Sequence, residues 1–477
     1  MAGGDETIVL IDRRPLWVRV VKWAAIVLAA LLLLIAALIV GLNTGPGKRF
    51  IAGQLAGYTT ASGINIHVGE IEGSIYGHMI LHDLEVRDAK GAFLTAPSID
   101  IHWHPFAYIH SKIDLDSVTA GEIRMLRNPA LKPVPSDPNA PTIPDIDLTL
   151  GHLHVDRFLL DPPVTGQRHI VRIDGGAVIA DRRAQLTVDA GAIVAPGVKG
   201  GDTLHLRIDA VPSQDRLLVD VKLSAPAGGV VDSYAKLGRA LTLSVGGQGN
   251  WHHWRGLAAA TAGGQPLMNV ALTAQDGSFG AHGGVMPGIL LTGPAARLTQ
   301  PAIHIDATTT LDKRKADTHV ALSSSALTAQ AAGLIDFGQS RLGDLKIKAR
   351  LLTPGAIAPN LAGRNVAVTA ALNGPFASPS VAYRISADAI SFGANGIEGL
   401  VAEGNATIGQ QKILVPIHAT AKRVTGLNAA AGGLVTNLKV DGDIAYQNGQ
   451  VFSDNLHLRS DRIDATALVL ADLKSGK

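Results

Sequence analysis

Twenty consecutive residues, Trp23 to Leu42, carry no charge, no side-chain amide and no proline. At about 1.5 Å per residue a helix of that length spans about 30 Å, the thickness of a bilayer's hydrocarbon core. The stretch is read as a membrane span, with Trp23, Leu31, Leu32, Leu33, Leu34 and Leu42 among its lipid-facing or boundary residues. Every later apolar run is cut by charged or amide residues and alternates with polar ones, so the chain is predicted to cross once. Arg13, Arg14, Arg19 and Lys22 precede the span, whereas only Lys48 and Arg49 follow closely. This bias places residues 1–22 in the cytoplasm and the large remainder on the far side. A cleaved signal peptide fits less well, because its apolar region is shorter and ends in a small-residue cleavage site.

Beyond the span, Asn43 to Gly47 break the pattern, and Ile51, Leu55 and Tyr58 then recur at helical spacing. They predict a short amphipathic helix ending near Ser62-Gly63, against the membrane or over the first strands. From Ile64 the period changes to two. Ile64 to Val68, Ile80 to Val86 and Ile99 to Trp103 alternate between apolar and polar residues, as strands do. Six prolines from Pro129 to Pro144 interrupt this pattern. Proline has no N–H for a sheet ladder, so residues 129–144 are predicted to be a loop between an N-terminal β unit, 43–128, and a long repetitive one, 145–477.

The repetitive part gives the fold class: mainly β, an elongated antiparallel sheet. Alternation recurs at Ile146, Leu148 and Leu150; at Leu217, Val219, Val221 and Leu223; from Leu241 to Val245; at Leu345, Ile347 and Leu351; and at Val381 and Ile385. Each run sets aliphatics on one face and Lys, Arg, Asp, Ser or Thr on the other. Turns rather than helical crossovers join the strands, which favours an antiparallel meander. About 20 strands are expected after the prolines, a length of about 100 Å. Val230 to Leu241 is the one later helix candidate, with Asp232 and Lys236 spaced as an i, i+4 pair. It is expected to pack on the apolar face of the sheet. The same period of two would also serve a closed β-sandwich with no ligand.

Composition narrows the function classes. Charged residues make up 17% of the chain and the net charge is only +2, which gives no electrostatic footprint for nucleic acid. Cysteine is absent, so disulfides, thiol nucleophiles and thiolate metal sites are excluded. No Gly-x-Ser-x-Gly elbow, His-Glu-x-x-His, Walker A or Gly-x-Gly-x-x-Gly motif occurs, and no enzyme activity is expected. His102/His104 and His152/His154 form His-x-His pairs without an obvious third ligand in register, so they are read as polar-face residues. No metal or cofactor is expected. His252-His253, between Trp251 and Trp254, is read as an interfacial turn, and the Asn405-Ala406-Thr407 sequon as a chance match.

Three blocks resemble the TamB family of AsmA-like proteins, counted among the bridge-like lipid-transfer proteins. The first comprises GSIYGHMILHDLEVRDAKG at 73–91, LTAPSIDIHWHP at 94–105 and KIDLDSVTAGEIRMLRNP at 112–129. The second is SAPAGGVVDSYAKLGRALTLSVGGQGNW at 224–251 with Trp254-Arg255-Gly256 after it, and the third is NGPFASPSVAYRISADAI at 373–390. The resemblance implies a curved, taco-like β-groove anchored in the bacterial inner membrane, with its large domain in the periplasm. It further implies phospholipid cargo, a role in outer-membrane biogenesis, and help in assembling outer-membrane proteins together with an Omp85-type barrel partner. The family's C-terminal domain has no counterpart before Lys477, so the chain reads as an N-terminal portion, and contact with the barrel partner is assigned to a region absent here. The groove lining is then assigned to Ile146, Leu148, Leu150, Leu217, Val219, Val221, Leu223, Leu345, Ile347, Leu351, Val381 and Ile385.

Overall fold

The computed structural model of the chain describes residues 37–132 and 147–472, apart from 181–182, 212–213, 251, 313, 410–411, 427–432 and 448. The described residues form one sheet of 26 strands, numbered β1 to β26 in chain order. From β3 (His78–Asp88) onward nearly every strand pairs antiparallel with the next, as tight turns dictate. Two short strands, β1 (Asn65–His67) and β2 (Glu70–Gly73), both lie along β3. At the far end β26 (Asp464–Asp472) pairs with its predecessor alone, so the sheet is not closed. At about 4.8 Å per strand the sheet measures about 110 Å along its hydrogen-bond direction.

The strands run longer than their aliphatic seeds. Val381 to Ile385 lies inside β21 (Ser380–Phe392), and Leu345 to Leu351 inside β18 (Arg341–Leu351). Ser, Thr, Ala and Gly continue the alternation beyond each seed without a bulky side chain to mark it. A four-residue strand, β19 (Leu361–Arg364), pairs only with β21, and β20 (Val366–Pro375) takes the place beside β18.

One pair departs from the predicted meander. β5 (Lys112–Met125) and β6 (Asp147–Leu160) are parallel, with Leu115 opposite Leu150 and Ala120 opposite Val155. Parallel neighbours need a connection of about a dozen residues or more to bring the chain back to the same end. Residues 126–146, including the prolines, supply it. The segment that reads as a unit boundary in sequence therefore joins two strands of a single sheet.

The start of this crossover is fastened by Asp88, at the turn after β3. Arg127 donates to both carboxylate oxygens, at 2.7 and 2.6 Å, while the backbone N–H groups of Ala130 and Lys90 donate at 2.6 and 2.7 Å. The Arg127 guanidinium first, and the Ala130 N–H next, hold the Asp88 carboxyl well below the usual carboxylate range. Because the folded state depresses this group, its stabilisation is complete above the ordinary value of about 3.9 and is lost as pH falls below it. Asp88→Asn is therefore expected to lower the urea midpoint most at neutral pH, with the gap to the parent narrowing below about pH 4. A gap that stays constant from pH 7 to pH 2 in parallel urea titrations contradicts this role.

The predicted span falls mostly outside the described residues, which include Leu42 but not Trp23, Leu31, Leu32, Leu33 or Leu34. Residues 37–42 are helical, and no helix among the described residues is long and apolar enough to cross a membrane. Its end is tied to the sheet: the Tyr76 hydroxyl donates to the Ile39 carbonyl at 2.8 Å, and the Ile75 N–H donates to Asn43 Oδ1 at 3.1 Å. The predicted amphipathic helix is α1 (Gly45–Gly57), which Thr44 caps and Pro46 opens. It buries Ala52 with Val68, Ile71 and Ile75 and so sits over the first strands, while Phe50 and Tyr58 remain exposed.

The second predicted helix is shorter than expected. After α2 (Pro162–Thr165), α3 covers only Val230–Ala235, and Leu241 opens β11 (Leu241–Gly249). Asp232 does not pair with Lys236. Its buried carboxylate accepts from the N–H groups of Gly228 and Gly238, both at 2.6 Å, and this turns the chain out of the helix. Nor does α3 lie across the apolar face. It sits beside α2 at the strand ends, where Gln167 donates to Ser233 Oγ at 2.7 Å.

Candidate functional site

Residues that face one another across a ladder share a face of the sheet, so the registers carry each side's chemistry from strand to strand. Starting at Trp103 in β4 (Gly91–Trp103), one row passes through Leu115, Leu150, Ala177, Leu186, Ile208 and Val219. It continues through Gly247, Gly256, Leu272, Ala281, Ala307, Val320, Ala331 and Ile347. Ala370, Tyr383 and Gly404 extend it. No charged residue interrupts this row. A row on the opposite face runs His154, Asp174, Asp189, His205, Lys222 and Ser244.

Among the described residues no second layer lies over the aliphatic face. His169 and Val435 are the largest side chains that are fully buried, and most other buried apolar residues are alanines. In a sandwich the leucines and isoleucines would be sealed instead. The molecule exposes 28881 Å² of surface, against about 17,000 Å² for a compact monomer of this size. The closed-sandwich alternative is therefore not the arrangement found.

Eleven of the twelve residues assigned to the lining lie on this face. Leu148 is in register with Ile179; Val221 and Leu223 with Val245 and Leu243; and Leu345 and Leu351 with Leu372 and Val366. Val381 and Ile385 oppose Leu372 and Val368, and Leu217 lies one step of the pleat from Val219. Leu150, Val219 and Ile347 belong to the row itself. Ile146 lies outside the described residues.

A concavity of about 620 Å³ opens on this face. Leu217 and Val219 of β10 (Arg216–Ala225) line it together with Trp254, Leu272, Phe279 and Phe337. Trp254, read from sequence as part of an interfacial turn, instead opens β12 (Trp254–Ala262) on the aliphatic face, where the residue is 8% exposed. Its indole occupies the space that side chains at Gly247 and Gly256 would need. A Cβ at Gly247 would stand 2.0 Å from Trp254 Cζ2, and one at Gly256 2.4 Å from Cη2. Farther along, Tyr383 donates its hydroxyl to the Pro416 carbonyl at 2.7 Å, which keeps that stretch apolar. Burial pushes the phenol's pKa up.

Cross-strand His–Asp hydrogen bonds lie on the other face, with His205 2.7 Å from Asp189 and His418 2.9 Å from Asp441. At the strand ends His252, just before β12, meets Asp276 in the following turn at 2.6 Å. The Asp276 hydrogen bond raises the His252 pKa. Asp209 is lowered, first by the Gln185 amide and then by Arg216.

The histidine pairs need correction. Register completes two groups of two imidazoles and a carboxylate: it brings His78 of β3 beside Asp100 and His102 of β4, and Asp174 beside His152 and His154. Asp174 reaches His154 from 20 residues away, at 2.6 Å, because β7 (His169–Ala180) folds back along β6. Spacing within one strand could not reveal it. His104 belongs to neither group and points toward Asp114 and Asp116, 3.9 and 3.6 Å away.

Compared with models of known protein families, with curated proteins and with solved structures, the chain matches none of them.

Proposed function

We propose that the chain is a lipid conduit of the TamB type. Its sheet curls into a taco-like groove, anchored by the span at Trp23–Leu42 in the bacterial inner membrane, and carries phospholipids through the periplasm toward the outer membrane. The observation that carries this reading is the uncharged row in register from Trp103 to Gly404, with no second layer among the described residues packed over it. The shared cavity supports the curl. Leu217 on β10 and Phe337 just beyond β17 (Leu327–Asp336) line it together although seven strand spacings separate them. On a flat sheet that separation would be about 34 Å.

The energetics suit this cargo. A sixteen-carbon acyl chain exposed to water costs about 12 kcal/mol, at about 0.8 kcal/mol per methylene. A wall of Leu, Ile, Val and Ala removes much of that cost while the open side leaves the headgroup in water. Glycine and alanine along the row make it wide rather than sticky, so no single position need hold lipid tightly. No catalytic group is required for such transfer.

Photo-crosslinkers at Val219 and Ile347 test the proposal, with Lys222 and Lys348 on the polar face as controls. Phospholipid adducts at the first two sites and none at the controls are expected. Unfolded outer-membrane polypeptide captured in place of lipid would overturn the proposal and favour an assembly scaffold working with an Omp85-type barrel.

A further inference from the structure

The two three-donor clusters lie on the face opposite the aliphatic row, and they are neighbours. One ladder row runs His78, His102, Ser117, His152, and the next runs Asp100, Thr119, His154, Asp174. β5 alone separates them, through Ser117 and Thr119, so their centres, one between β3 and β4 and the other between β6 and β7, are about 14 Å apart at three strand spacings. Each cluster bridges two adjacent strands.

Their geometry sets them apart from the ordinary ion pairs of that face. In the first, His78 Nε2 lies 3.0 Å from Asp100 Oδ2 and His102 Nε2 lies 3.5 Å from Asp100 Oδ1, so both imidazoles converge on one carboxylate. Their rings stack at 4.1 Å between centroids, 15° from parallel. In the second, His154 Nδ1 lies 2.6 Å from Asp174 Oδ1, and the His152 and His154 rings are 7° from parallel at 6.1 Å. In both clusters the three donor atoms lie within 4.8 Å of one another. Donors around tetrahedral zinc, at bond lengths of about 2.0–2.1 Å, stand about 3.3 Å apart. Small side-chain rotations on partly exposed residues close that difference. His205–Asp189 and His418–Asp441 have one imidazole and one carboxylate each, and form no such group.

We propose that each cluster binds one borderline divalent cation of the zinc class, through two imidazoles and a carboxylate, with water completing the coordination. Two nitrogen donors favour zinc, nickel or copper over magnesium and calcium, which prefer all-oxygen sites. The cations clip β3 to β4 and β6 to β7, on either side of the parallel strand pair, and stiffen the end of the sheet next to α1. Protons compete for the same imidazoles, so acid releases the metal. The site is independent of lipid binding because it lies on the other face.

The test uses the full chain in detergent, made without an oligohistidine tag and equilibrated with Zn²⁺ alone before gel filtration and elemental analysis. Two zinc ions per chain are expected. His78→Asn with His102→Asn, and separately His152→Asn with His154→Asn, should each halve that content, whereas His205→Asn with His418→Asn should leave it unchanged. A parent chain that retains no zinc, or double variants that retain as much as the parent, would overturn the proposal. If a variant fails to fold, carbethoxylation of the parent decides the matter. Zinc should protect His102 and His154 and leave His205 and His418 reactive, and equal reactivity with and without zinc rejects the sites.

Discussion

A carboxylate at position 219 is expected to stop lipid loading while leaving the sheet standing. Val219 faces the open cavity and is only partly buried, so in Val219→Asp the charged group keeps its water and the strand ladders on either side persist. A passing acyl chain meets a hydrated anion instead. If that hydration shell keeps about four methylenes from dry contact, the loss is about 3 kcal/mol, or about a hundredfold in occupancy. Transfer of a fluorescent phospholipid between vesicles, measured beside a thermal melt, separates loss of transfer from loss of fold. An unchanged transfer rate contradicts an acyl-chain path over this face. Lys222→Asp, on the polar side of the same strand, is the matched control and should transfer normally.

The second large effect is expected from a side chain placed under Trp254. In Gly247→Val even the first added carbon falls 2.0 Å from the ring, so the indole must leave its seat. Overfilling a packed site of this kind costs about 1–3 kcal/mol, and here the displaced ring also swings into the 620 Å³ cavity. Lower stability, altered tryptophan emission and reduced lipid capture at Val219 should appear together. Parental emission and stability in Gly247→Val would mean that the ring does not rest there. The equivalent change at Gly246, where an added Cβ meets nothing within 4 Å, should be silent.

The alternation of Val219 and Val221, or of Leu345 and Ile347, was legible because a strand with one apolar face writes period two directly into its sequence. Which runs become neighbours is not written there, yet every assigned lining residue within the described part falls on one face. Consecutive strands joined by tight turns preserve that parity. What sequence hid has three physical sources. Small residues carry no hydropathy signal, so Gly247 and Gly256 do not announce that they make room for Trp254. Long connections conceal strand direction, and residues 126–146 read as a break when they return the chain to make a parallel pair. Cross-strand partners such as His154 and Asp174 are set by register, which spacing within one strand does not encode. The helix expected at Val230 to Leu241 fails for a related reason: Asp232 spends its carboxylate on the backbone N–H groups of Gly228 and Gly238 rather than on the next turn.

Nearest-neighbour pairing also decides how such a molecule can change size. From β7 to β17 each strand pairs only with the one before and the one after, so a duplicated hairpin extends the ladder without breaking a strand pairing, and parts only contacts at the strand ends such as Gln167 with Ser233 or Arg297 with Ala356. Each such duplication would lengthen the span by about 9.6 Å and carry its own share of slippery wall. The length of the sheet is then a quantity set in fixed increments by gene duplication, much as a ladder is lengthened by rungs.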